Sequence, residues 1–232
     1  LLVTTPRDYY VPIPGVSGGQ KDKLTHAGIY GIDASMRTLG ELYETDINYY
    51  ARLNFTSLID IVDTLGGVDV YSELAFQTGT ESGCIVDVQE GWNHLNGEQA
   101  LAFSRERHAL ADGDNQRGKN QQAVLTAMLR KCLSPTMLLK AGTIMNQVSS
   151  EVETNLSQAQ INSLIKYQLN KNATWTIQSV AATGTNDKGY CYSSGDTPLF
   201  IMDPDEDVVQ EIIDLANVVE EGGTLKDGES LN

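Results

Sequence analysis

The stretch NGEQALAFSRERHALADGDNQRGKNQQAVLTAMLRKCL occupies residues 96–133 and decides most of what can be inferred about this chain. Its first residues, Asn96 to Gln99, are typical of the start of a short helix that ends near Ser104. Asp114 is a suitable N-cap for a second helix. Apolar residues then recur at helical spacing as far as about Leu133. The stretch therefore predicts two successive helices joined by a polar, charged segment.

Basic residues are concentrated around that segment. Arg105, Arg107, Arg117 and Lys119 fall within fifteen residues, although the whole chain has 16 Lys and Arg against 31 Asp and Glu, a net charge of −15. Guanidinium groups beside the positive end of a helix favour a phosphate or a diphosphate. Nucleic-acid binding needs basic residues spread over a whole face, so we expect no nucleic-acid partner.

One face of the second helix changes character along its length. It is polar in the first turns and apolar beyond, which suits a phosphate headgroup that leads into a hydrocarbon tail. We expect an apolar cavity beside the first turns of this helix. The residues predicted on its inward face are Arg117, Gln121, Val124, Leu125, Met128 and Cys132.

The order of predicted elements indicates the fold class. Helices and strands are interleaved without a regular βαβ rhythm, which predicts an α/β (α+β) fold of three layers, a central mixed β-sheet with helices on both faces. We assign residues 1–220 to one domain, large enough to bury a real core. Residues 221–232 are polar and acidic, and we predict a flexible tail there.

Composition excludes several classes of protein. Hydrophobic residues make up 41% of the chain, but no run of about 18 apolar residues is present, so the sequence predicts no membrane span. A net charge of −15 opposes docking on anionic lipid through bulk electrostatics. Three cysteines are too few for a disulfide framework and lack metal-ligand spacing, although Cys84 and Cys191 are candidates for pairing in an exported protein. The three histidines, His26, His94 and His108, share no metal-binding spacing.

Several separate motifs carry a family resemblance. They are Thr5-Pro6-Arg7-Asp8, Lys23-Leu24-Thr25-His26-Ala27, Gly66-Gly67-Val68-Asp69-Val70 and the run from His94 to Arg105, followed by the Arg-rich stretch. Together and in this order they resemble the LytR-CpsA-Psr family of Gram-positive cell-wall assembly. The resemblance covers residues 1–133 and continues more weakly to about residue 220.

The resemblance implies a phosphotransferase on the outer face of the cytoplasmic membrane. Such an enzyme moves a glycopolymer, a teichoic acid or a capsular polysaccharide, from undecaprenyl diphosphate to a peptidoglycan acceptor, with Mg²⁺ as cofactor. It also implies an N-terminal transmembrane anchor that this chain does not contain, which makes the chain an extracellular portion. Two alternatives stay open: a polyprenyl-diphosphate hydrolase, and a non-enzymatic regulator that binds lipid phosphate and carries the label of transcription attenuator.

The resemblance also assigns roles to individual residues. Arg105 and Arg107 are implied to grip the diphosphate, with Arg7 as a third contact and with Arg117 and Gln121 in the same pocket. Without the family, two interpretations of the arginine pair stay open, a phosphate pocket and a solvated helix end, and Arg7 is one half of a strand-end ion pair with its neighbour.

Two further expectations concern the reaction itself. The resemblance favours Asp114 as the group that takes a proton from the attacking hydroxyl, besides capping its helix. The family's metal-binding aspartates lie before the Pro-Arg-Asp motif, so the metal ligands are expected upstream of Leu1. Asp8 is the nearest carboxylate, and we do not assign it as a ligand.

Apolar residues that line a lipid tunnel have the same sequence pattern as ordinary core residues. For each single residue, packing in the core is the more common role. The candidates for lipid lining are Ile29, Ile32, Met36, Val62, Leu125 and Met128.

Overall fold

The computed structural model describes residues 1–107, 113–148, 150–171 and 173–230. They form two compact units: unit 1 comprises Leu1–Asn48 and Gln178–Asp227, and unit 2 comprises Tyr49–Ile177 and Gly228–Asn232. Helix accounts for 47% of the described residues and strand for 22%, which confirms the predicted mixed α/β class.

The strands are short. In chain order they are β1 Leu2–Thr4, β2 Tyr10–Pro12, β3 Lys21–Lys23, β4 Ala51–Arg52, β5 Val68–Ser72, β6 Phe76–Gln77, β7 Asp87–Val88, β8 Gly91–Leu95, β9 Glu153–Thr154, β10 Thr176–Ile177, β11 Ser179–Ala181, β12 Gly184–Tyr190, β13 Pro198–Pro204 and β14 Glu229–Ser230. Among the described residues they pair as seven two-stranded ladders.

The helices vary more in length. They are α1 Leu24–Ala27, α2 Ile32–Leu42, α3 Phe55–Thr64, α4 Gly97–Arg105, α5 Gly113–Leu133, α6 Pro135–Leu139, α7 Ala141–Val148, α8 Gln158–Lys171 and α9 Glu206–Glu220. The sequence predicts a single helix over about 26–44, whereas the structure divides it between α1 and α2. Gly31, with φ 103°, interrupts the helix between them.

In unit 1, both ends of the described chain contribute strands. β1 pairs in parallel with β11, with Val3 opposite Val180. The hairpin of β2 and β3 is joined to the antiparallel pair β12–β13 by a parallel bridge between Tyr9 and Met202. The core of this unit includes the buried side chains of Tyr9, Val11, Tyr43, Ala182, Met202 and Ile212.

Unit 2 is built around the antiparallel pair β5–β8 and the helices α3, α4 and α5. Exposure alternates along β5, whose residues Val68, Val70 and Ser72 are buried. The start of α4 has a capping box, in which the Asn96 and Gln99 side chains each accept the other's backbone N–H at 3.0 Å. This local pattern explains why the sequence predicts that start correctly.

The C-terminal segment differs from the predicted tail. Leu225 is buried, and Glu229–Ser230 pairs in antiparallel fashion with Thr176–Ile177. Backbone pairing and an apolar anchor therefore order part of a segment whose composition alone suggests disorder. No helix in the described part of the chain is both long and apolar enough to cross a membrane.

Candidate phosphate-binding site

Arg105 is the last residue of α4, and its side chain is held by an aromatic ring. The guanidinium carbon lies 4.8 Å from the centroid of the Phe55 ring. A guanidinium stacked in this way loses part of its freedom but keeps its N–H donors at the ring's edge. Arg105 is therefore partly ordered before any ligand binds.

Glu106 lies inside the protein between two accessible arginines. Its Oε2 accepts hydrogen bonds from the backbone N–H of Gly79 at 2.6 Å and from Ser82 Oγ at 3.0 Å. Its Oε1 accepts the backbone N–H of Arg107 at 2.9 Å. Glu106 is thus buried, whereas Arg105 is partly exposed and Arg107 is exposed.

The N-terminal part of α5 is attached to the end of α4 by a buried amide. Asn120 Nδ2 donates to the carbonyl oxygen of Phe103 at 3.1 Å, and its Oδ1 accepts from Gln116 Nε2 at 3.1 Å. Arg117 lies three residues before Asn120 and therefore on the same side of the helix. Arg105 and Arg117 thus belong to the two helices that this hydrogen bond joins, and Arg107 follows Arg105 by two residues; these three residues are called the arginine junction below.

The inward face of α5 differs from the predicted one. Its buried residues include Asn120, Val124, Ala127 and Met128, whereas Gln121 and Cys132 are exposed and Leu125 is 42% exposed. The hydrogen bond from Asn120 to α4 fixes the rotation of the helix. Val124 and Met128 are buried as predicted, so the predicted and observed faces differ by a rotation of less than one residue, that is, less than 100°.

Asp114 lies within the first turn of α5, because the helix begins at Gly113 rather than after Asp114. It is therefore not the N-cap that the sequence predicts, although a carboxylate in a first turn still favours the helix through its dipole. The described atoms do not include its side chain, and His108 also lies outside the described residues.

Arg7 belongs to unit 1 and is largely exposed. Its Nε lies 3.6 Å from Asp8 Oδ2, and Lys23 Nζ lies 2.5 Å from Asp8 Oδ1. Asp8 is thus shared between two cations. The contacts of Arg7 match the strand-end ion pair, and its role toward a phosphate stays a prediction.

The candidates for lipid lining are dispersed. Val62 and Met128 are buried in the core of unit 2, whereas Leu125 and Ile29 are 42% and 69% exposed. In unit 1, Ile32 is half-buried, and Met36 lines a groove that is rich in carboxylates. Their role in lining a lipid stays a prediction.

An apolar cavity of about 330 Å³ lies at the other end of α5. It adjoins the last turn of that helix rather than its first. Its lining includes Leu65, Cys132, Met137, Ile144, Ile161 and Trp175. Several of these residues come from α6, α7 and α8, whose mutual packing cannot be read from the periodicity of α5.

A polar cluster in unit 1 was not expected from sequence spacing. Asp22, fully buried, accepts hydrogen bonds from the backbone N–H of Lys23 at 2.7 Å and of Ser193 at 2.9 Å. Its Oδ1 lies 2.6 Å from His26 Nδ1, which is also 2.8 Å from Ser193 Oγ. The buried thiol of Cys191 completes the group. These residues are far apart in sequence, which is why spacing alone does not reveal them.

Burial affects the pKa values of two groups in this cluster, Asp22 and Cys191. It raises the pKa of Asp22, but hydrogen bonds from His26, Ser193 and Lys23 outweigh it and leave that pKa below its ordinary value. Burial and the neighbouring Asp22 raise the pKa of the Cys191 thiol. All three cysteines, Cys84, Cys132 and Cys191, are free in the structure.

Comparisons with known proteins agree on one family. The sequence model of the LytR_cpsA_psr family matches residues 1–201. A polyisoprenyl-teichoic acid–peptidoglycan teichoic acid transferase TagU of Bacillus mycoides (strain KBAB4) is 37% identical over 160 residues, which cover 68% of this chain and 50% of the relative. The TagU of Oceanobacillus iheyensis is 30% identical over 199 residues, 83% of this chain and 60% of the relative. The chain thus spans about half the length of the first of these relatives.

Solved structures show the same architecture. The crystal structure of Bacillus subtilis TagV superposes with a TM-score of 0.75 at 25% identity, covering 96% of this chain and 84% of TagV. TagT bound to LIIa-WTA superposes with a TM-score of 0.68 at 28% identity, covering 92% of this chain and 76% of TagT.

Proposed function

The chain belongs to the LytR_cpsA_psr family, and on that premise we propose that it is a phosphotransferase that moves a glycopolymer from undecaprenyl diphosphate to peptidoglycan. The names of the matched relatives favour a teichoic acid as the polymer. A capsular polysaccharide is the other candidate cargo from the family resemblance.

The observation that carries this proposal is the arginine junction of unit 2. Arg105 and Arg117 belong to α4 and to the 21-residue helix α5, which the Asn120–Phe103 hydrogen bond joins, and Arg107 follows Arg105 by two residues, in a chain of net charge −15. Cationic groups concentrated at one point, with a helix N-terminus beside them, favour a compact anion of high charge such as a diphosphate.

In the proposed reaction a hydroxyl oxygen of peptidoglycan attacks the phosphorus atom that carries the glycan. The bond from that phosphorus to the bridging oxygen breaks, and polyprenyl phosphate leaves. The three arginines stabilise the negative charge that grows on the phosphate oxygens. We propose Asp114 as the group that accepts the hydroxyl proton, and Arg7 and Gln121 as further phosphate contacts.

The apolar cavity at the last turn of α5 is the proposed place for part of the hydrocarbon chain. Fifteen residues separate Arg117 from Cys132, and a helix rises about 1.5 Å per residue, so about 22 Å of helix joins the phosphate end to the cavity. A polar headgroup site and an apolar cavity at two ends of one helix suit an amphipathic lipid. Each buried methylene contributes about 0.8 kcal/mol.

Magnesium is implied by the family, but the described clusters do not fit it. Mg²⁺ prefers oxygen ligands, whereas the group of three potential ligands in unit 1 includes an imidazole and a thiol. Asp8 is already paired with Lys23 at 2.5 Å. We therefore assign no step of the reaction to a metal, and Mg²⁺ remains an expectation from the family.

We also propose that the protein acts on the outer face of the cytoplasmic membrane, anchored there by a segment outside this chain. The donor is a membrane lipid and the acceptor is part of the cell wall, so the two meet at that face.

The arginine junction can be tested by lipid binding. We expect Arg105→Ala and Arg107→Ala each to weaken binding of a polyprenyl phosphate by about 1.5–3 kcal/mol in calorimetry, because each removes a charged contact to phosphate. Arg107→Lys, which keeps the charge but loses the planar fork, should bind with intermediate affinity. Lys166→Ala, which removes an exposed cation on α8, is the control.

Unchanged affinity in both alanine variants would overturn the site assignment. A second measurement separates transfer from hydrolysis: polymer attached to peptidoglycan supports the proposal, while free polymer phosphate formed at the same rate without acceptor favours the hydrolase.

A further inference from the structure

We propose that Asp22, His26 and Cys191 form a binding site for a transition-metal ion of the zinc class in unit 1. One ligand atom from each residue, a carboxylate oxygen, an imidazole nitrogen and a thiol sulfur, lies within 4.8 Å of the other two. This site is separate from the arginine junction and does not depend on the proposed transferase activity.

The ligand chemistry selects the class of metal. Thiolate and imidazole bind Zn²⁺ and its neighbours in the first transition series, while Mg²⁺ and Ca²⁺ take oxygen ligands. A set with one sulfur, one nitrogen and one oxygen therefore favours Zn²⁺ or Co²⁺. The magnesium that the family implies is a different kind of ion and belongs to a different kind of site.

The geometry needs only small adjustments. Zinc bonds of about 2.0–2.3 Å place tetrahedral ligands about 3–4 Å apart, compatible with three ligand atoms that already lie together. The Asp22–His26 contact of 2.6 Å is a hydrogen bond that the ion would replace by bonding to both atoms. Ser193 Oγ lies 2.8 Å from His26 Nδ1, so a hydroxyl stands beside the position of a fourth ligand.

The surroundings provide the support that a metal ligand needs. The backbone N–H groups of Lys23 and Ser193 hold the two oxygens of the Asp22 carboxylate. Such second contacts fix a ligand's orientation. Asp22 and Cys191 are buried, while the His26 side chain is 21% exposed, which leaves a route from solvent to the cluster.

A second contact between a histidine and an aspartate, with no thiol beside it among the described residues, supplies a control. His94 Nδ1 lies 2.7 Å from Asp69 Oδ1 in unit 2, and both side chains are about 60% exposed. This pair has the same two ligand types, but the described residues place no third ligand with it. If a histidine–aspartate pair alone sufficed for binding, both places would take up metal.

The experiment uses the whole chain, freed of metal by a chelator and titrated with Co²⁺. We expect one ion to bind per chain and to show an intense thiolate-to-cobalt charge-transfer band together with tetrahedral d–d bands. The double variant Cys84→Ser and Cys132→Ser retains Cys191 alone, so persistence of the band in that variant assigns the sulfur without altering a buried residue. Zn²⁺ should displace Co²⁺ and abolish the spectrum.

Two further variants identify the other ligands. His26→Gln should weaken Zn²⁺ binding at least about tenfold in competition with a chromophoric chelator, while His94→Gln should leave it unchanged. Absence of the charge-transfer band, in wild type or in the double cysteine variant, overturns the proposal. So does equal loss of affinity in His26→Gln and His94→Gln, since that result describes adventitious surface binding.

Discussion

Glu106 shows how a single buried acid orders the cationic site. It lies between Arg105 and Arg107, and its carboxylate accepts from Gly79, Ser82 and the backbone of Arg107. These hydrogen bonds fix the backbone on both sides of Glu106 and so hold the direction of the chain from Arg105 to Arg107.

Replacing this acid tests its structural role. We expect Glu106→Ala to destabilise unit 2 by about 1–3 kcal/mol, because the buried hydroxyl of Ser82 and the backbone N–H of Gly79 lose this acceptor. Both tryptophans, Trp92 and Trp175, lie in unit 2, so denaturant unfolding followed by tryptophan fluorescence reports this unit.

The control for this experiment is Glu90→Ala, at an exposed position of the same unit. A surface change of this kind is expected to stay within about 0.5 kcal/mol. Equal unfolding midpoints for the two variants would show that the carboxylate of Glu106 does not anchor its segment.

Asp114 allows binding and chemistry to be separated. We expect Asp114→Asn to fold, to bind polyprenyl phosphate at least as tightly as wild type, and to lose about 10²–10⁴-fold in transfer rate. The substitution removes a proton acceptor and one negative charge near the diphosphate, but keeps a polar side chain in the first turn of α5. The measurements are calorimetry and the rate of polymer transfer.

Asp60→Asn, at an exposed position on α3, provides the comparison for a neutralised carboxylate. Transfer at the wild-type rate in Asp114→Asn would show that Asp114 serves only its helix, and the base would have to be sought elsewhere.

At the scale of elements, α5 shows what periodicity can and cannot predict. Its C-terminal end near Leu133 is predicted correctly, because helical spacing and the following Ser-Pro pair are local features. Its inward face is predicted only in part, because Val124 and Met128 are buried while Gln121 and Leu125 are exposed. The rotation of the helix depends on the hydrogen bond from Asn120 to Phe103, between residues seventeen apart, and no local pattern encodes that contact.

Asn120 therefore links helix α5 to α4 at the candidate phosphate-binding site. We expect Asn120→Ala to destabilise unit 2 by about 1–2 kcal/mol, although alanine favours the helix itself, because the buried carbonyl of Phe103 loses its donor. We also expect weaker binding of polyprenyl phosphate, since Arg117 is no longer held against α4. Fluorescence-detected unfolding and calorimetry measure the two effects.

Lys119→Ala, one residue away and exposed, is the comparison for truncation to alanine on the same helix. If Asn120→Ala proves as stable as Lys119→Ala, the amide does not dock α5 and the arrangement of the three arginines has another cause.

Over the whole molecule, predictability follows the sequence separation of the contacts. The capping boxes that begin α4 and α8 join residues three apart, and the sequence predicts both helix starts. The cluster of Asp22, His26 and Cys191 and the parallel pairing of β1 with β11 join opposite ends of the chain. Such contacts leave no local trace, so the sequence predicts neither of them. The arginine site is intermediate in predictability. Arg105, Arg107 and Arg117 are close together in sequence, but the orientation of α5 depends on a hydrogen bond between residues seventeen apart.

The two units are expected to differ in their response to alkali. In unit 1, burial raises the pKa of Tyr43 from 10.0 to about 12, although its hydrogen bond with Thr5 lowers it somewhat. A phenol whose folded pKa lies above its unfolded pKa contributes stability that is complete below pH 10 and is lost as the pH rises through about 12. The loss amounts to about 2–3 kcal/mol.

Tyr43→Phe should flatten this alkaline loss, which is measured by denaturant unfolding followed by circular dichroism at increasing pH. Part of the loss should remain, because burial also raises the pKa of Tyr9. Tyr30→Phe, at an exposed position of unit 1, should keep the full wild-type dependence. The same slope in all three proteins would exclude Tyr43 as its source.

The discontinuity of unit 1 has a consequence for biosynthesis. Its strand β1 is made early, but its partner β11 is made only after residues 49–177 have left the ribosome. Unit 2, almost contiguous in sequence, has its main core residues available first. Vectorial synthesis therefore favours early folding of unit 2, while the N-terminal segment waits, with apolar residues such as Val11 uncovered, for the strands that complete its sheet. During that interval the N-terminal segment of unit 1 is the part most in need of a chaperone, although it is synthesised before unit 2.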